Sequence, residues 1–257
     1  MIYYQSENIA LLHGDCLELM KQLPDKSIDA IITDPPYGTT ACKWDSVIPF
    51  EPMWAQLKRL IKPRGAIVLF GSQPFTSALI MSNVKMFKYC WIWEKSKAVG
   101  FVNAKLKPMP KHEDIIIFSG GATANGAANM PYNPQGLEPF GKVVKGRKGS
   151  AKDSDGNGYG RPSMKAELFQ EFTNYPTSII RFNSEGKPVH PTQKPVALME
   201  YLIKTYTNEG ETVLDFTAGS GTTGVAALNT GRNAILIERE LEYCEIAKKR
   251  IEGAENA

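Results

Sequence analysis

The sequence predicts an α/β fold built on a mostly parallel sheet of seven strands. Short apolar runs alternate with segments of helical periodicity, which is typical of βαβ units. Near the C-terminus a glycine-rich turn also joins an apolar run directly to a helical segment, as is usual in such folds. In chain order, the strands are expected at residues 8–12, 28–32, 66–70, 88–93, 114–118, 212–216 and 234–238.

Three segments between these strands have the periodicity of amphipathic helices. In residues 50–65 Pro52 suits a first helical turn, and apolar side chains recur at helical spacing at Met53, Trp54, Leu57, Leu60 and Ile61. Segments 195–207 and 240–252 show the same spacing. We expect all three to be helices that pack on the sheet.

The composition excludes several classes of protein. The chain has 257 residues, enough for one large α/β domain or two small ones, and its 42% hydrophobic and 22% charged residues are typical of a globular protein. No CxxC pair occurs, so neither a zinc site nor a disulfide framework is indicated. The N-terminus lacks a signal-peptide pattern, and no apolar run approaches the roughly 20 residues of a membrane span. A cytoplasmic protein without membrane contact is expected.

Residues 119–182 interrupt the alternation of strands and helices. They contain GGATANGAANMPYNPQG and KGSAKDSDGNGYG, which are rich in Gly and Asn and have little periodicity. An insertion of this length in a compact domain is usually either functional or disordered. We therefore predict one domain formed by residues 1–118 and 183–257 together, with 119–182 as an inserted segment.

The net charge of +3 does not by itself indicate a nucleic-acid-binding protein, but the charges are unevenly distributed. Residues 85–111 contain seven lysines and one acid, Glu94. Residues 142–165 contain seven basic residues against Asp153 and Asp155. A solvated face or a flexible loop explains either run alone, whereas two such runs in one half of the chain favour a surface that binds a polyanion.

The first chemical motif is Thr33-Asp34-Pro35-Pro36-Tyr37-Gly38, directly after the predicted strand 28–32. Ligands collect at the carboxyl ends of strands in open α/β sheets, so the motif lies where chemistry usually occurs. Two consecutive prolines stiffen the backbone and hold the Asp34 carboxylate and the Pro35 carbonyl as a rigid pair of acceptors. With the ring of Tyr37, they suit a planar base that carries an exocyclic amine. The simpler interpretation is a proline-rich turn capped by Asp34.

The second motif is a strand, a glycine turn and a helix start over residues 212–228, TVLDFTAGSGTTGVAAL. In this geometry backbone N–H groups approach an anionic or carboxylate-bearing ligand closely. Glu238 ends the next predicted strand, seventeen residues beyond Gly221, where an acid can accept hydrogen bonds from ribose hydroxyls. Strand, turn, helix and acid together predict a site for a nucleoside cofactor.

Both NAD and S-adenosylmethionine satisfy this pattern. Only 33 residues follow Gly224, whereas a dinucleotide domain normally needs further βαβ units after its glycine motif, which disfavours an NAD enzyme unless the chain is permuted. No His or Lys stands out as an acid for hydride transfer, while the Asp34 turn offers acceptors for an amine.

In the order of its motifs, the sequence resembles the permuted β class of DNA amino-methyltransferases, which methylate adenine N6 or cytosine N4. In that family the DPPY motif precedes the glycine motif, and a target-recognition segment lies between them. The resemblance covers nearly the whole chain outside 119–182, and one departure is that Phe216 and Thr217 replace the common Pro and Phe. Further family-like segments are residues 13–16, 65–72, 91–95, 112–114 and 190–195.

The resemblance implies a Rossmann-like, circularly permuted methyltransferase fold with S-adenosylmethionine as cofactor and with the two termini near each other. It implies that Asp15 and Cys16 hold the cofactor adenine and Glu238 the ribose. The methionine part is assigned to Asp215, Gly219, Ser220, Gly221, Thr222 and Thr223, and Thr192 and Lys194 are expected to line the same pocket. The simpler interpretation of 190–196 is a helix that starts at Pro195. We expect a bulky residue at Gly219 or Gly221 to weaken cofactor binding first.

The resemblance further implies catalytic roles for Asp34, Pro35, Pro36 and Tyr37. When the Asp34 carboxylate and the Pro35 carbonyl accept the amine hydrogens, the nitrogen lone pair becomes localised and reactive. A paired base cannot reach such a pocket, so base flipping with Tyr37 as a stacking surface is expected. Adenine N6 is preferred over cytosine N4, because Asp at the first motif position is more typical of adenine enzymes in that family.

Double-stranded DNA is the implied partner, and members of the family often form homodimers. Segment 119–182 is assigned to target recognition, where basic side chains are expected to neutralise phosphates and polar side chains to contact base edges. The candidates for phosphate contacts are Lys142, Lys145, Arg147 and Lys148, and those for base edges are Asn133, Gln135 and Arg161. The alternatives are a cytosine-N4 DNA methyltransferase, an RNA or protein-glutamine methyltransferase, and an inactive nucleic-acid-binding module.

Overall fold

A computed structural model describes residues 1–39, 45–124, 127–145, 167–186 and 193–256. Within these ranges the strands are β1 (Ile2–Gln5), β2 (Ile9–His13), β3 (Ile28–Thr33), β4 (Ile61–Gly71), β5 (Phe87–Lys95), β6 (His112–Ser119), β7 (Glu138–Lys145), β8 (Glu167–Thr173), β9 (Ile179–Phe182), β10 (Thr212–Asp215) and β11 (Asn233–Glu238). The helices are α1 (Cys16–Met20), α2 (Phe50–Leu60), α3 (Phe75–Ser82), α4 (Val196–Tyr206), α5 (Thr222–Asn229) and α6 (Leu241–Glu255), and a 3₁₀ turn covers Phe101–Asn103.

Within the described residues, nine of these strands form one sheet in the order β1-β2-β11-β10-β3-β4-β6-β5-β9. The neighbours from β2 to β4 pair in parallel, and so do β5 and β9. Strand β6 runs antiparallel to both β4 and β5, and β1 runs antiparallel to β2. The strand β2 near the N-terminus therefore lies beside the C-terminal strand β11.

Helices cover both faces of the sheet because side chains alternate along each strand. Ala30 and Ile32 of β3 join a cluster with α4, α5 and α6, whereas Ile31 joins a second cluster with α1, α2 and α3. Strand β3 pairs with β10 on one side and β4 on the other. The turn after β3 is therefore held by a strand that is packed on both faces and paired on both edges.

The predicted α/β class with a mostly parallel sheet is confirmed, and each of the seven predicted strands is present. In the described part of the chain the sheet has two more strands, β1 and β9, at its edges. Each is only four residues long and carries exposed side chains, so neither produces an apolar run in the sequence. The short helices α1 and α3 were also not predicted. None of the described helices is long and apolar enough to cross a membrane.

The two ends of the chain lie near each other, as expected, because the Tyr4 hydroxyl donates a 2.6 Å hydrogen bond to Glu255. Circular permutation itself stays a prediction.

The chain divides into two compact units. The first comprises Met1–Asn133 and Ser178–Ala257, and it contains the sheet and the six helices of the described residues. The second is Pro134–Thr177, in which β7 and β8 pair antiparallel. This unit is shorter at both ends than the predicted insertion 119–182: residues 119–133 and 178–182 belong to the first unit, where β9 extends the sheet.

Candidate active site

The two sequence motifs meet at the carboxyl ends of neighbouring parallel strands. Strands β3 and β10 pair through Ala30 with Val213 and through Ile31 with Leu214, so the turns that follow them leave from the same edge of the sheet. The Thr33 hydroxyl donates to Asp215 Oδ1 at 2.5 Å. The Thr217 hydroxyl donates to the Asp34 carbonyl at 3.0 Å. These bonds tie the Asp34 turn to the glycine turn.

A cavity of about 230 Å³ lies between the two turns. Asp34 and Pro36 of the first motif line it, whereas the described lining includes neither Pro35 nor Tyr37. The predicted cofactor residues that line it are Asp15, Cys16, Lys194, Asp215, Gly219, Ser220, Thr222, Thr223 and Glu238. Gly221 does not line it, and Thr192 lies outside the described residues. Apolar side chains, among them Val47, Ile48 and Met199, complete the wall.

The Asp34 carboxylate is held by two side chains. Its Oδ1 accepts a hydrogen bond from the Tyr37 hydroxyl, and its Oδ2 forms an ion pair with Lys194. The Lys194 ammonium also lies 3.0 Å from Glu113 Oε2, and Glu113 Oε1 pairs with Lys95. Two carboxylates and two ammonium groups thus alternate in one continuous cluster, with side chains only 7–19% exposed, and Asp34 and Lys194 are its members that line the cavity. We call Asp34, Lys194, Glu113 and Lys95 the ion-pair cluster.

Burial and charge act in opposite directions on this cluster. Burial raises the pKa of Asp34, and the attraction of Lys194 only partly opposes that increase. Burial disfavours the charged form of Lys194, but Asp34 and Glu113 outweigh it and raise the pKa of the lysine. Burial would likewise raise the pKa of Glu113, yet the adjacent Lys194 and Lys95 lower it overall. The lysine therefore stays protonated, and Asp34 is a more basic carboxylate than an exposed one.

The ring of Tyr37 stacks on Phe75, with centroids 5.0 Å apart and an interplanar angle of 28°. Phe75 starts α3 and is buried. Burial and the nearby Asp34 hold the pKa of Tyr37 well above its usual value, so the hydroxyl stays protonated and donates to Asp34. Tyr37 thus connects the Asp34 turn to the core beneath α3.

In the glycine turn, the Asp215 carboxylate holds the backbone in place through hydrogen bonds. Its Oδ1 accepts from Thr33 and from the Thr217 N–H at 3.1 Å, and its Oδ2 accepts from the Thr223 hydroxyl. Burial raises the pKa of Asp215 to about 6, although these hydrogen bonds lower it. Phe216 and Thr217, the two residues that depart from the family pattern, both have structural roles here. Phe216 is buried in the core, and the Thr217 hydroxyl donates a hydrogen bond to the Asp34 carbonyl.

The acids at the far side of the cavity organise the backbone. Glu238 accepts from the Gly219 N–H at 2.7 Å and the Glu240 N–H at 2.8 Å, so it links β11 to the glycine turn. Asp15 caps α1 by accepting from two backbone N–H groups. Burial raises the pKa of the adjacent Cys16 thiol to about 11, so this cysteine is neutral and is a poor nucleophile.

The two glycines of the turn differ in what surrounds them. Both have positive φ, 51° at Gly219 and 75° at Gly221, a conformation that favours glycine. Gly219 lines the cavity. A Cβ at Gly221 would instead lie 2.7 Å from the Ala247 side chain on α6. The expectation that a side chain at Gly221 would act first on the cofactor is therefore wrong, because the space it would enter is occupied by α6.

The family model for N6/N4 DNA methylases, described as DNA methylase, matches residues 28–249. The chain belongs to this DNA methylase family. This confirms the resemblance found in the sequence, and with it the class of enzyme and its cofactor, S-adenosylmethionine.

Several relatives of this DNA methylase cover almost the whole chain. The type II methyltransferase M.HpaI of Haemophilus parainfluenzae is 28% identical over 96% of this chain and 75% of its own length. The DNA adenine methyltransferase YhdJ of Escherichia coli strain K12 is 28% identical over 98% of this chain and 85% of its own. Among solved structures, the complex of M1.HpyAVI with S-adenosylmethionine is 29% identical, with a TM-score of 0.62 over 94% of this chain and 99% of that one.

The predicted DNA-contact residues of the methylase are only partly described. Lys142 and Lys145 lie exposed on β7 in the second unit, whereas Arg147, Lys148 and Arg161 lie outside the described residues. Asn133 is used structurally: its side-chain amide donates to the carbonyls of Lys204 and Thr207 at the end of α4. This contact argues against a base-reading role for Asn133.

The sequence analysis gives no role to two residues that shape the methylase site, Glu113 and Arg250. It correctly places Lys194 at the cofactor pocket but does not predict its ion pair with Asp34. Arg250 of α6 donates to the Ser220 carbonyl at 2.7 Å and to the Thr222 hydroxyl at 2.9 Å, so it fixes the glycine turn from outside. No local pattern marks these contacts, because each joins segments that are far apart in the chain. Among the described residues, no group of three or more His, Cys, Asp or Glu side chains is arranged to hold a metal ion.

Proposed function

We propose that this DNA methylase transfers the methyl group of S-adenosylmethionine to N6 of an adenine at a specific sequence in duplex DNA, after flipping that base out of the helix. The observation that carries the proposal is that Asp34 lines the same cavity as Asp15, Gly219 and Glu238. An amine held at Asp34 and a cofactor held by the glycine turn would therefore share one cavity. The name of the relative YhdJ supports adenine as the target.

The chemistry of the cavity fits S-adenosylmethionine. Carboxylates at Glu238 and Asp15 suit ribose hydroxyls and an amino group, and the apolar side chains of Ile48 and Met199 suit the adenine ring. We assign the ribose to Glu238, the adenine to the wall at Asp15 and Cys16, and the methionine part to the turn at residues 219–223. When bound, the cofactor supplies an electrophilic methyl group on a sulfonium.

Asp34 and the Pro35 carbonyl activate the amine. The lone pair of an exocyclic nitrogen is delocalised into the base, and accepting both of its hydrogens localises that pair on nitrogen. An ionised carboxylate has about four acceptor positions on its two oxygens. The Tyr37 and Lys194 contacts are therefore compatible with a further hydrogen bond from the amine to Asp34.

Lys194 and Glu113 position the catalytic carboxylate. The lysine fixes one oxygen of Asp34, and Glu113 balances the charge that the lysine brings into a largely buried site. Once the new N–C bond has formed and the S–C bond of the sulfonium has broken, the methylated nitrogen carries one proton in excess. The raised pKa of Asp34 suits its carboxylate to receive that proton, which leaves a neutral methylamino group on the base.

Target recognition is assigned to the insertion 119–182, which includes the second compact unit, Pro134–Thr177. Lys142 and Lys145 on β7 would neutralise phosphates, which gives affinity that falls with salt. We also propose a cytoplasmic location, as expected from the sequence, and a homodimer, following the family resemblance. Sedimentation of the purified protein tests the oligomeric state.

Nucleoside mass spectrometry after incubation with S-adenosylmethionine and unmethylated DNA tests the assignment. The expected product is N6-methyladenine, and its position in the sequence follows from sequencing that detects modified bases. N4-methylcytosine without N6-methyladenine would overturn the choice of base. Parallel incubations with RNA and with a protein extract test the remaining alternatives: methylation of either one, with DNA unmodified, would overturn DNA as the substrate.

A further inference from the structure

Residues 96–111 connect β5 to β6 and have an unusual composition. They contain four lysines, Lys97, Lys105, Lys107 and Lys111, and no acidic residue. At their tip, Phe101 is 82% exposed, Val102 95% and Leu106 85%. Contiguous exposed apolar side chains are uncommon on soluble proteins and usually mark a binding surface. We call residues 96–111 the lysine arm.

The lysine arm is held in shape by its own backbone. The Lys95 N–H donates to the Lys111 carbonyl at 2.8 Å, and the Val99 N–H donates to the Pro110 carbonyl at 2.9 Å, which closes the neck. At the tip, the 3₁₀ turn Phe101–Asn103 continues through a 2.9 Å bond from the Leu106 N–H to the Asn103 carbonyl. A preformed turn therefore presents the apolar side chains to solvent, instead of burying them.

The arm leaves the sheet at the edge where the active site lies. Strand β6 is antiparallel to both β4 and β5, so β5 runs in the same direction as β3, and its carboxyl end lies on the edge that carries the Asp34 turn. The arm begins directly after Lys95 and ends directly before His112 and Glu113. Two members of the ion-pair cluster thus flank its neck.

We propose that the lysine arm is a DNA wedge: its lysines contact phosphates and its apolar tip enters the duplex beside the target base. The inference rests on the proposed function and deepens it by naming the segment that opens the helix. Lys111 pairs with Glu94 at 2.8 Å, so the charge of the arm comes from Lys97, Lys105 and Lys107. Charge complementarity favours DNA as the occupant, because these three lysines attract a polyanion and would repel the same arm of a second copy. Apolar side chains inserted between base steps unstack them, which is the disturbance that base flipping requires.

The test uses a triple variant, Phe101→Ser/Val102→Ser/Leu106→Ser. The matched control is Met81→Ser/Val84→Ser. These apolar side chains are 73% and 53% exposed and lie just before β5, near the amino-terminal end of that strand rather than its carboxyl end. All five positions are exposed, so both variants are expected to fold. Melting temperature and calorimetric affinity for S-adenosylmethionine check this.

Two measurements separate binding from catalysis. Fluorescence anisotropy with a labelled duplex of about 30 base pairs is expected to show binding about tenfold weaker for the triple variant and unchanged for the control. The substrate is a duplex that contains the target sequence found by sequencing the methylated DNA. Methyl transfer to it is expected to fall about tenfold when the target base is paired, but less than about threefold when a mismatch faces that base, because a mismatched base costs less to flip. The dependence of binding on salt is measured as the slope of the logarithm of the binding constant against the logarithm of the salt concentration. Lys105→Glu/Lys107→Glu is expected to reduce the magnitude of this slope by about one to two, since each phosphate contact contributes about 0.9.

Several outcomes would overturn the wedge. One is duplex binding and methyl transfer by the triple variant equal to those of the control. Another is a wild-type dimer that the triple variant cannot form, which would make a second copy the occupant. A third is lost binding to vesicles of anionic lipid with DNA binding intact. If the triple variant loses duplex binding while the wild type methylates no DNA, the wedge holds and the proposed function fails.

Discussion

The turns after β3 and β10 lie side by side at one edge of the sheet, but they are held in different ways. The Asp34 turn depends on side chains from elsewhere in the chain, above all Lys194, which is 160 residues away in sequence. The glycine turn is held within the motif by Asp215, which accepts from Thr217 and Thr223. From outside the motif it is held by Glu238 and Arg250, which lie only 19 and 30 residues from their partners in the turn. Chemistry is assigned to the first turn and cofactor binding to the second.

The difference teaches that the two turns respond differently to mutation. A charged contact supplied from a distance can be removed without replacing any residue of the Asp34 turn, so such changes are expected to alter the reactivity of Asp34 together with the stability of the fold. The glycine turn contains residues that line the cavity, such as Gly219, and residues that face the core, such as Gly221. A substitution there is therefore expected to change cofactor affinity if the residue lines the cavity, and stability if it faces the core. Four variants test this distinction.

The largest effect is expected for Asp34→Ala. Removing the carboxylate eliminates the acceptor for the target amine, so methyl transfer should fall on the order of 10³-fold or more. Affinity for S-adenosylmethionine should stay within a few fold, because Lys194 keeps Glu113 as a partner and the glycine turn is untouched. Single-turnover transfer and calorimetry measure the two quantities. A variant that retains more than about a tenth of wild-type turnover would remove Asp34 from the chemistry.

The second variant, Lys194→Met, removes the charge between two carboxylates. Breaking a buried ion pair by deleting one partner typically costs about 3–5 kcal/mol of stability, because the remaining charges are left uncompensated. The pKa of Asp34 should rise further, and the pH optimum of methyl transfer should move upward with it. Denaturant unfolding and a pH–rate profile give both readouts.

The matched control for Lys194→Met is Lys194→Met/Glu113→Gln. Neutralising the second carboxylate removes the repulsion that the single variant creates, so the double variant should be more stable than the single one. The pH optimum should also return part of the way toward that of the wild type. Additive losses of stability in the two substitutions would mean that the ion-pair cluster does not act as a unit.

The sequence predicted what depends on local pattern. The strands β3 and β10, the turns that follow them and the acid at the end of β11 were all visible as apolar runs with Gly, Pro or Glu at fixed offsets. The Lys194 contact to Asp34 was not, because it depends on how α4 packs against β3 rather than on neighbours in the chain. The edge strands β1 and β9 were missed for a related reason, since four half-exposed residues give no periodic signal.

The third variant, Gly221→Ala, tests which side of the glycine turn faces the core. Its Cβ would lie 2.7 Å from the Ala247 side chain and 3.0 Å from the Ala247 backbone, at a φ that alanine rarely adopts. Overpacking of this kind costs about 1–3 kcal/mol, so the melting temperature should fall by several degrees. Gly219→Ala is the comparison: it also carries backbone strain at a φ of 51°, but it should weaken cofactor binding more than Gly221→Ala does, because Gly219 lines the cavity. Equal effects of both substitutions on cofactor affinity would contradict this division.

The smallest effect, and the one that isolates a single charge, is expected for Asp215→Asn. Burial raises the pKa of Asp215 from the ordinary 3.8 to about 6. Below pH 3.8 the carboxyl is protonated in both the folded and the unfolded chain, and its contribution to stability is fully present. Between 3.8 and about 6 the unfolded chain ionises first, so this contribution is lost as the pH rises through the folded pKa. Asparagine does not titrate, so the melting temperature of the variant relative to wild type should rise across this window and then level off. Thr223→Val provides the matched change: it removes a hydrogen bond that lowers the Asp215 pKa, so the same window should extend to higher pH. A difference between variant and wild type that does not vary with pH would show that Asp215 is already ionised in the fold.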